Sequence, residues 1–234
     1  MRKIAALALI AVLVAAGVVT AQSRMSNPNS NKAFFAKSTD EVMLAPVNGQ
    51  TSSTVTLIDI PAAFKTSNNG AASATLSMEA SLWTYNITTA IVNGGKNSSS
   101  SRATIEAWVE IDGNVLEPGV VVFADRLQAT GLTVNLACQT SDPVITCTVT
   151  GDVTLELFQA TKNANSFTFF GGSLGATTHS VAVKARGAIR CTNNSGATIT
   201  CPSGTLAGYQ NASTMAAIGK ATVLVEEQQN WGSN

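Results

Sequence analysis

Among the residues that carry most nucleophilic and acid–base chemistry, the 234-residue chain has one histidine, His179, and four cysteines, Cys138, Cys147, Cys191 and Cys201. A hydrolytic triad needs a nucleophile, a base and a third group that orients the base. No G-x-S-x-G elbow is present, and His179 shares the parity of Val181 and Val183 at the start of a strand. That placement predicts a half-buried, hydrogen-bonded imidazole rather than a base. Paired carboxylates are the other hydrolytic option. Glu106 and Glu110 lie on one face of one strand, where four residues separate their Cα atoms by ~13 Å. A glycosidase pair needs about 5–9.5 Å between carboxyl groups, so these two read as solvated strand charges. Pairs drawn from different strands, among Asp112, Glu117 and Asp125, stay open. The stretch "FFGGSLGAT" lacks the Lys-Ser/Thr ending of a phosphate loop, and "AAIGKATV" has Gly-Lys with nothing matching upstream. "EIDGN" has too few acidic positions for a calcium loop. A zinc site would need C-x-x-C or a second histidine. No cofactor, no metal and no catalytic activity are expected.

The cysteines fit cross-links better than chemistry. In "LACQTSDPVITCTV" Cys138 and Cys147 flank a turn at Ser141-Asp142-Pro143, and the apolar parity of each arm points both sulfurs to one face. In "AIRCTNNSGATITCPSG" Ile189 and Cys191 match Ile199 and Cys201 across Asn-Asn-Ser-Gly. Opposed residues in such hairpins fall within disulfide range. The expected pairs are Cys138–Cys147 and Cys191–Cys201, each adding roughly 2–3 kcal/mol by closing a short loop.

Trp108 sits between Glu106 and Glu110, on the side of its strand that should face water. Trp83 and Tyr85 oppose the parity of Leu76, Met78 and Leu82. If the two strands were neighbours, Trp83, Tyr85 and Trp108 would form an aromatic strip able to stack on sugar rings. Cross-strand packing explains the same residues without a ligand, and it is the favoured reading.

The elements that carry these residues alternate with period two. "ASATLSMEASLWTYNITTAIV" puts Ala74, Leu76, Met78, Ala80 and Leu82 on one face, and "ATIEAWVEIDG" does so with Ala103, Ile105, Ala107, Val109 and Ile111. "DVTLELF", "HSVAVKARGAI" and "ATVLVEE" follow the same rule. Turn signals separate the runs at Asn69-Gly70, Asn93-Gly94-Gly95, Asp112-Gly113, Pro118-Gly119, Gly171-Gly172 and Ser203-Gly204. Such spacing predicts an all-β fold, an antiparallel jelly-roll-like β-sandwich of about eight to ten strands. One helical turn is allowed near Ala124 to Gln128.

The first residues give an address. Arg2 and Lys3 precede an uncharged apolar run from Ile4 to Val19, and Val19-Thr20-Ala21 offers small residues for a peptidase. Residues 1–21 read as a secretory signal cut after Ala21, residues 22–48 as a flexible arm, and residues 49–234 as one domain. Cleavage removes two of the 14 basic residues, leaving 12 against 14 acidic. With the cations scattered and no basic face, nucleic acid is excluded as a partner. Charged residues are only 12% of the chain, about half the usual share, so Ser, Thr and Asn must cover much of the surface. The expected location is extracellular or cell-surface, with the periplasm open, and no membrane span remains once the signal is removed. Asn-x-Ser/Thr sequons occur at Asn86, Asn97, Asn193 and Asn211 and matter only in a glycosylating host.

The stretches "WVEIDG", "PGVVVFADR", "NSFTFF", "GATTHSVAVKA" and "AAIGKATVLVEE" resemble a family of uncharacterised secreted bacterial and archaeal β-sandwich proteins. The resemblance spans much of Ser73 to Glu227 and implies an exported β-rich domain, with no activity and no functional residue to carry over. "HSVAVKA" is also similar to the ending of bacterial sandwich modules that include carbohydrate-binding ones. The expected role is therefore non-catalytic: structure, adhesion or envelope binding. It would work through an extracellular glycan or through self-association, in which an arm strand such as "EVMLAP" adds to a neighbour's sheet.

Overall fold

The computed structural model describes residues 33–44, 50–66, 70–90, 97–132, 139–141, 144–146, 153–193, 195–201 and 212–228. The strands are β1 (Ala33–Ser38), β2 (Val42–Leu44), β3 (Val55–Lys65), β4 (Gly70–Ala90), β5 (Asn97–Ile111), β6 (Asn114–Val115) and β7 (Val121–Leu132). They continue with β8 (Gln139–Ser141), β9 (Val144–Thr146), β10 (Val153–Leu174), β11 (Thr178–Thr192), β12 (Thr198–Ile199) and β13 (Ala212–Gln228).

The pairing is that of a ribbon doubled back on itself. β1 and β2 pair with β13, β3 with β11, β4 with β10, and β5 with β7, all antiparallel. These nested pairs alternate between two layers. The first sheet joins β1·β13 to β4·β10 through β13·β4, and the second joins β3·β11 to β5·β7 through β11·β5. That order is a jelly roll, as expected. Among the described residues the two sheets hold five and six strands, and β8 and β9 make a separate hairpin. The count exceeds eight to ten because short pieces such as β2, β6 and β12 extend the edges.

Alternation is what builds the layers. Ala72 to Leu82 on β4 and Ala103 to Ile111 on β5 bury every second side chain between the sheets, with Val181, Val183 and Ala185 of β11 and Val223 and Val225 of β13. Asp112 and Gly113 both have positive φ, as a tight two-residue hairpin requires. Gly171 of β10 leaves room for the Leu116 side chain, whose Cδ2 lies 2.5 Å from where a Cβ would stand.

Three expectations change. Residues 33–44 are not an arm: β1 and β2 are strands of the first sheet, with Phe34, Ala36, Val42 and Leu44 in the core. Their short apolar alternation was masked by polar flanks. "EVMLAP" therefore supplies β2 to its own chain, through Val42↔Ile218 and Leu44↔Ala216. Ala124 to Gln128 form part of β7 rather than a helical turn.

Candidate functional site

His179 opens β11 and is the group with the richest surroundings. It is 2% exposed. Its Nδ1 lies 2.6 Å from Asp112 Oδ2, and its Nε2 lies 2.9 Å from Thr66 Oγ1 and 3.0 Å from the Gly175 carbonyl. The ring of Phe64 packs beside it at 5.4 Å. Three chain segments thus meet on one imidazole: the end of β3, the β5–β6 turn and the loop before β11. The arrangement has the outline of a hydroxyl–imidazole–carboxylate triad. It differs at the hydroxyl, because Thr66 Oγ1 donates to the Gly175 carbonyl, which itself stands 3.0 Å from Nε2. Thr66 is itself buried. The geometry makes a clamp, not an activated nucleophile.

Asp112 is the outer half of this clamp. Burial pushes its carboxyl up, but hydrogen bonds from His179, the Ser180 backbone and the Ser180 hydroxyl outweigh that and hold it below the ordinary carboxylate range. Nothing local in the sequence joins Thr66, Asp112 and His179. The Asp-Gly turn and the parity of His179 were legible, but their meeting was not.

Trp108 and the two glutamates form a second cluster, on the outer face of the second sheet. Glu106 Oε2 pairs with Arg186 Nε at 2.7 Å and Glu110 Oε2 with Lys184 Nζ at 2.7 Å. Trp108 Nε1 donates to Glu110 Oε1 at 2.8 Å, and the Arg186 guanidinium lies over the indole at 5.6 Å from its centre. Trp108 is only 7% exposed and belongs to the core cluster. Glu110 is buried too, which corrects its reading as a solvated charge. The long side chains of β11 cover what strand parity would leave wet.

The strip of Trp83, Tyr85 and Trp108 does not exist as one surface. Trp83 and Tyr85 lie on β4 in the first sheet, and Trp108 lies on β5 in the second. Phe158 of β10 stands directly across from Tyr85 and is 47% exposed. Of the three aromatics on the first sheet, Phe158 is exposed, Trp83 is half-buried and Tyr85 is buried. Sequence reasoning missed Phe158 because β10 was not recognisable as the neighbour of β4.

The sandwich interior is polar where β4 ends and β5 begins. Thr84, Asn86, Ser99, Ser101, Gln128 and Thr130 are all buried. Asn86 Nδ2 donates to the Gln128 carbonyl at 2.8 Å, Thr84 bonds the Gln128 side chain, and Gln128 Nε2 donates to the Leu157 carbonyl at 2.9 Å. Beside this network a groove of about 240 Å³ runs between the facing edges of β7 and β10, lined by Phe123, Arg126, Asn163 and Asn165 among others. Ligand pockets are usually about 300–1,000 Å³, so it is small.

Cys191 and Cys201 are disulfide-bonded, with Cα atoms 5.2 Å apart. They are not rung partners as expected: Cys191 stands opposite Ile199, and Cys201 lies just past β12. Cys138 and Cys147 fall outside the described residues. Among the described residues no three His, Cys, Asp or Glu side chains gather as a metal site. No protein-family model matches the chain, and no curated protein matches it.

Proposed function

We propose that the mature protein is a non-catalytic extracellular or cell-surface protein with a structural, adhesive or envelope-binding role. The observation that supports this most is where the reactive side chains are spent. His179 is sealed with each of its polar contacts satisfied, and Glu79, Glu106, Glu110 and Asp125 each tie one strand to the next. The framework they tie is long. β4 and β10 have 21 and 22 residues, about 70 Å of strand. Light scattering after size exclusion, over a range of concentrations, tests the assembling form of this role. Concentration-dependent species are expected, and a monomer at every concentration would sink self-association.

A second reading is carried by the exposed ring of Phe158, on the rung of the buried Tyr85, as a single aromatic face that could stack on a glycan. Phe158→Ala should weaken retention on a polysaccharide column, whereas Trp108→Ala should not, because that indole is covered. Unchanged retention of the Phe158 variant would remove that face from consideration.

A further inference from the structure

The four sequons are not equivalent in the fold. Asn86 is 0% exposed and its Nδ2 donates to the Gln128 carbonyl. A sugar there would have to occupy the space between the two sheets. Asn211 and the side chain of Asn97 lie outside the described residues. Asn193 sits at the tip of the β11–β12 hairpin, before the exposed run Ser195 to Thr198. Its side-chain oxygen accepts from Ser195 N at 3.1 Å, Ser195 Oγ at 2.7 Å and Ala197 N at 3.0 Å. Gly196 turns the chain with a positive φ, and the Cys191–Cys201 disulfide closes the hairpin below. Three donors thus hold the amide by its oxygen, while among the described residues its Nδ2 makes no hydrogen bond that a substituent would break.

We infer that Asn193 is a glycan attachment site, modified when the chain is exported by a host that N-glycosylates. This rests on the exported reading above. The donor is an oligosaccharide on a lipid phosphate. A bond forms between Asn193 Nδ2 and C1 of the first sugar, the C1–O bond to phosphate breaks, one Nδ2 proton is released, and the lipid phosphate leaves with the bonding pair. The hairpin tip accepts the sugar without loss of any described hydrogen bond. Asn86 cannot accept it in the folded chain.

The test is peptide mapping of the full chain expressed for export in a host that N-glycosylates, by mass spectrometry with fragmentation that keeps the glycan, reading the N-terminal peptide in the same digest. A glycan on Asn193 with Asn86 bare supports the site. Asn193→Gln and Ser195→Ala should then each lower the intact mass by one glycan, while Ser195→Thr, which keeps the hydroxyl, retains it even if the other variants fold poorly. A chain beginning at Gln22 with Asn193 bare overturns the site and leaves export standing. A chain beginning at Met1 with Asn193 bare overturns both.

Discussion

Where β3 and β5 end and β11 begins, the interior is apolar up to a single charged knot: Phe64, Ile111 and Val181 are sealed, and Asp112, His179 and Thr66 close the layer. Where β4 and β10 overlap at the opposite end, the interior is closed by neutral groups instead, with Asn86 and Gln128 bridging the sheets and Thr84, Thr130, Ser99 and Ser101 around them. The two ends solve one problem, satisfying polar backbone and loops without water, by opposite means. The charged knot satisfies all its members, but only while its carboxylate is ionised. The neutral network is indifferent to pH, yet among the described residues Asn86 Oδ1 and Ser101 Oγ have no partner. Such orphans are what ordered internal waters normally satisfy.

The largest effect should come from breaking the knot. His179→Ala opens a cavity and removes the partner of Asp112 Oδ2, which should cost about 3 kcal/mol in denaturant unfolding. Asn86→Ala removes the donor to the Gln128 carbonyl and should cost about 1–3 kcal/mol. The double variant should be additive to within about 0.5 kcal/mol, because the ends share no partner. Larger coupling would show that the two ends do not close independently.

The comparison sharpens with pH. The Asp112 carboxyl titrates below its unfolded value, so its stabilisation is present above about pH 4 and is lost as pH falls through the lower folded value. Asp112→Asn should flatten the acid limb of the stability profile. Asn86→Ala should shift the whole profile down without changing that limb, and an equal change in slope for both would break the contrast. On the outer face, Trp108→Phe keeps the ring and loses the bond to Glu110, a cost of about 1 kcal/mol. The smallest effect belongs to Arg102→Ala. Its pair with Asp125, although it holds that carboxyl below the ordinary range chiefly through the Arg102 hydrogen bond, is exposed, so its loss should barely move the unfolding midpoint.

What could be read in the sequence was local. The alternation from Ala103 to Ile111, the Asp112-Gly113 turn and the Cys191–Cys201 cross-link each depend on residues close along the chain. What could not be read depends on which strand becomes a neighbour. Trp108 is covered because β11 carries Lys184 and Arg186 at the matching rungs. Thr84 and Asn86 continue the inward parity of Leu76 and Leu82, so the polar core was present in the pattern. Its partners on β7 were not, because period-two alternation does not say which strand lies across the sandwich. The residues from 33 to 44 were mistaken for an arm because two strands of six and three residues carry too few apolar positions to stand out.

The doubled ribbon also fixes how the molecule meets tension. Ala33 at the start of β1 stands opposite Glu226 near the finish of β13, so the chain enters and leaves the first sheet side by side. Force applied through both flanks would open β1 from β13 like a zipper, loading one rung at a time. It would not shear the rungs together. Pulled that way, the edge strand should yield at low force while the 20-odd residues of β4 and β10 stay paired. A protein held from both ends would therefore stretch by peeling. One held through its broad faces would resist as a unit.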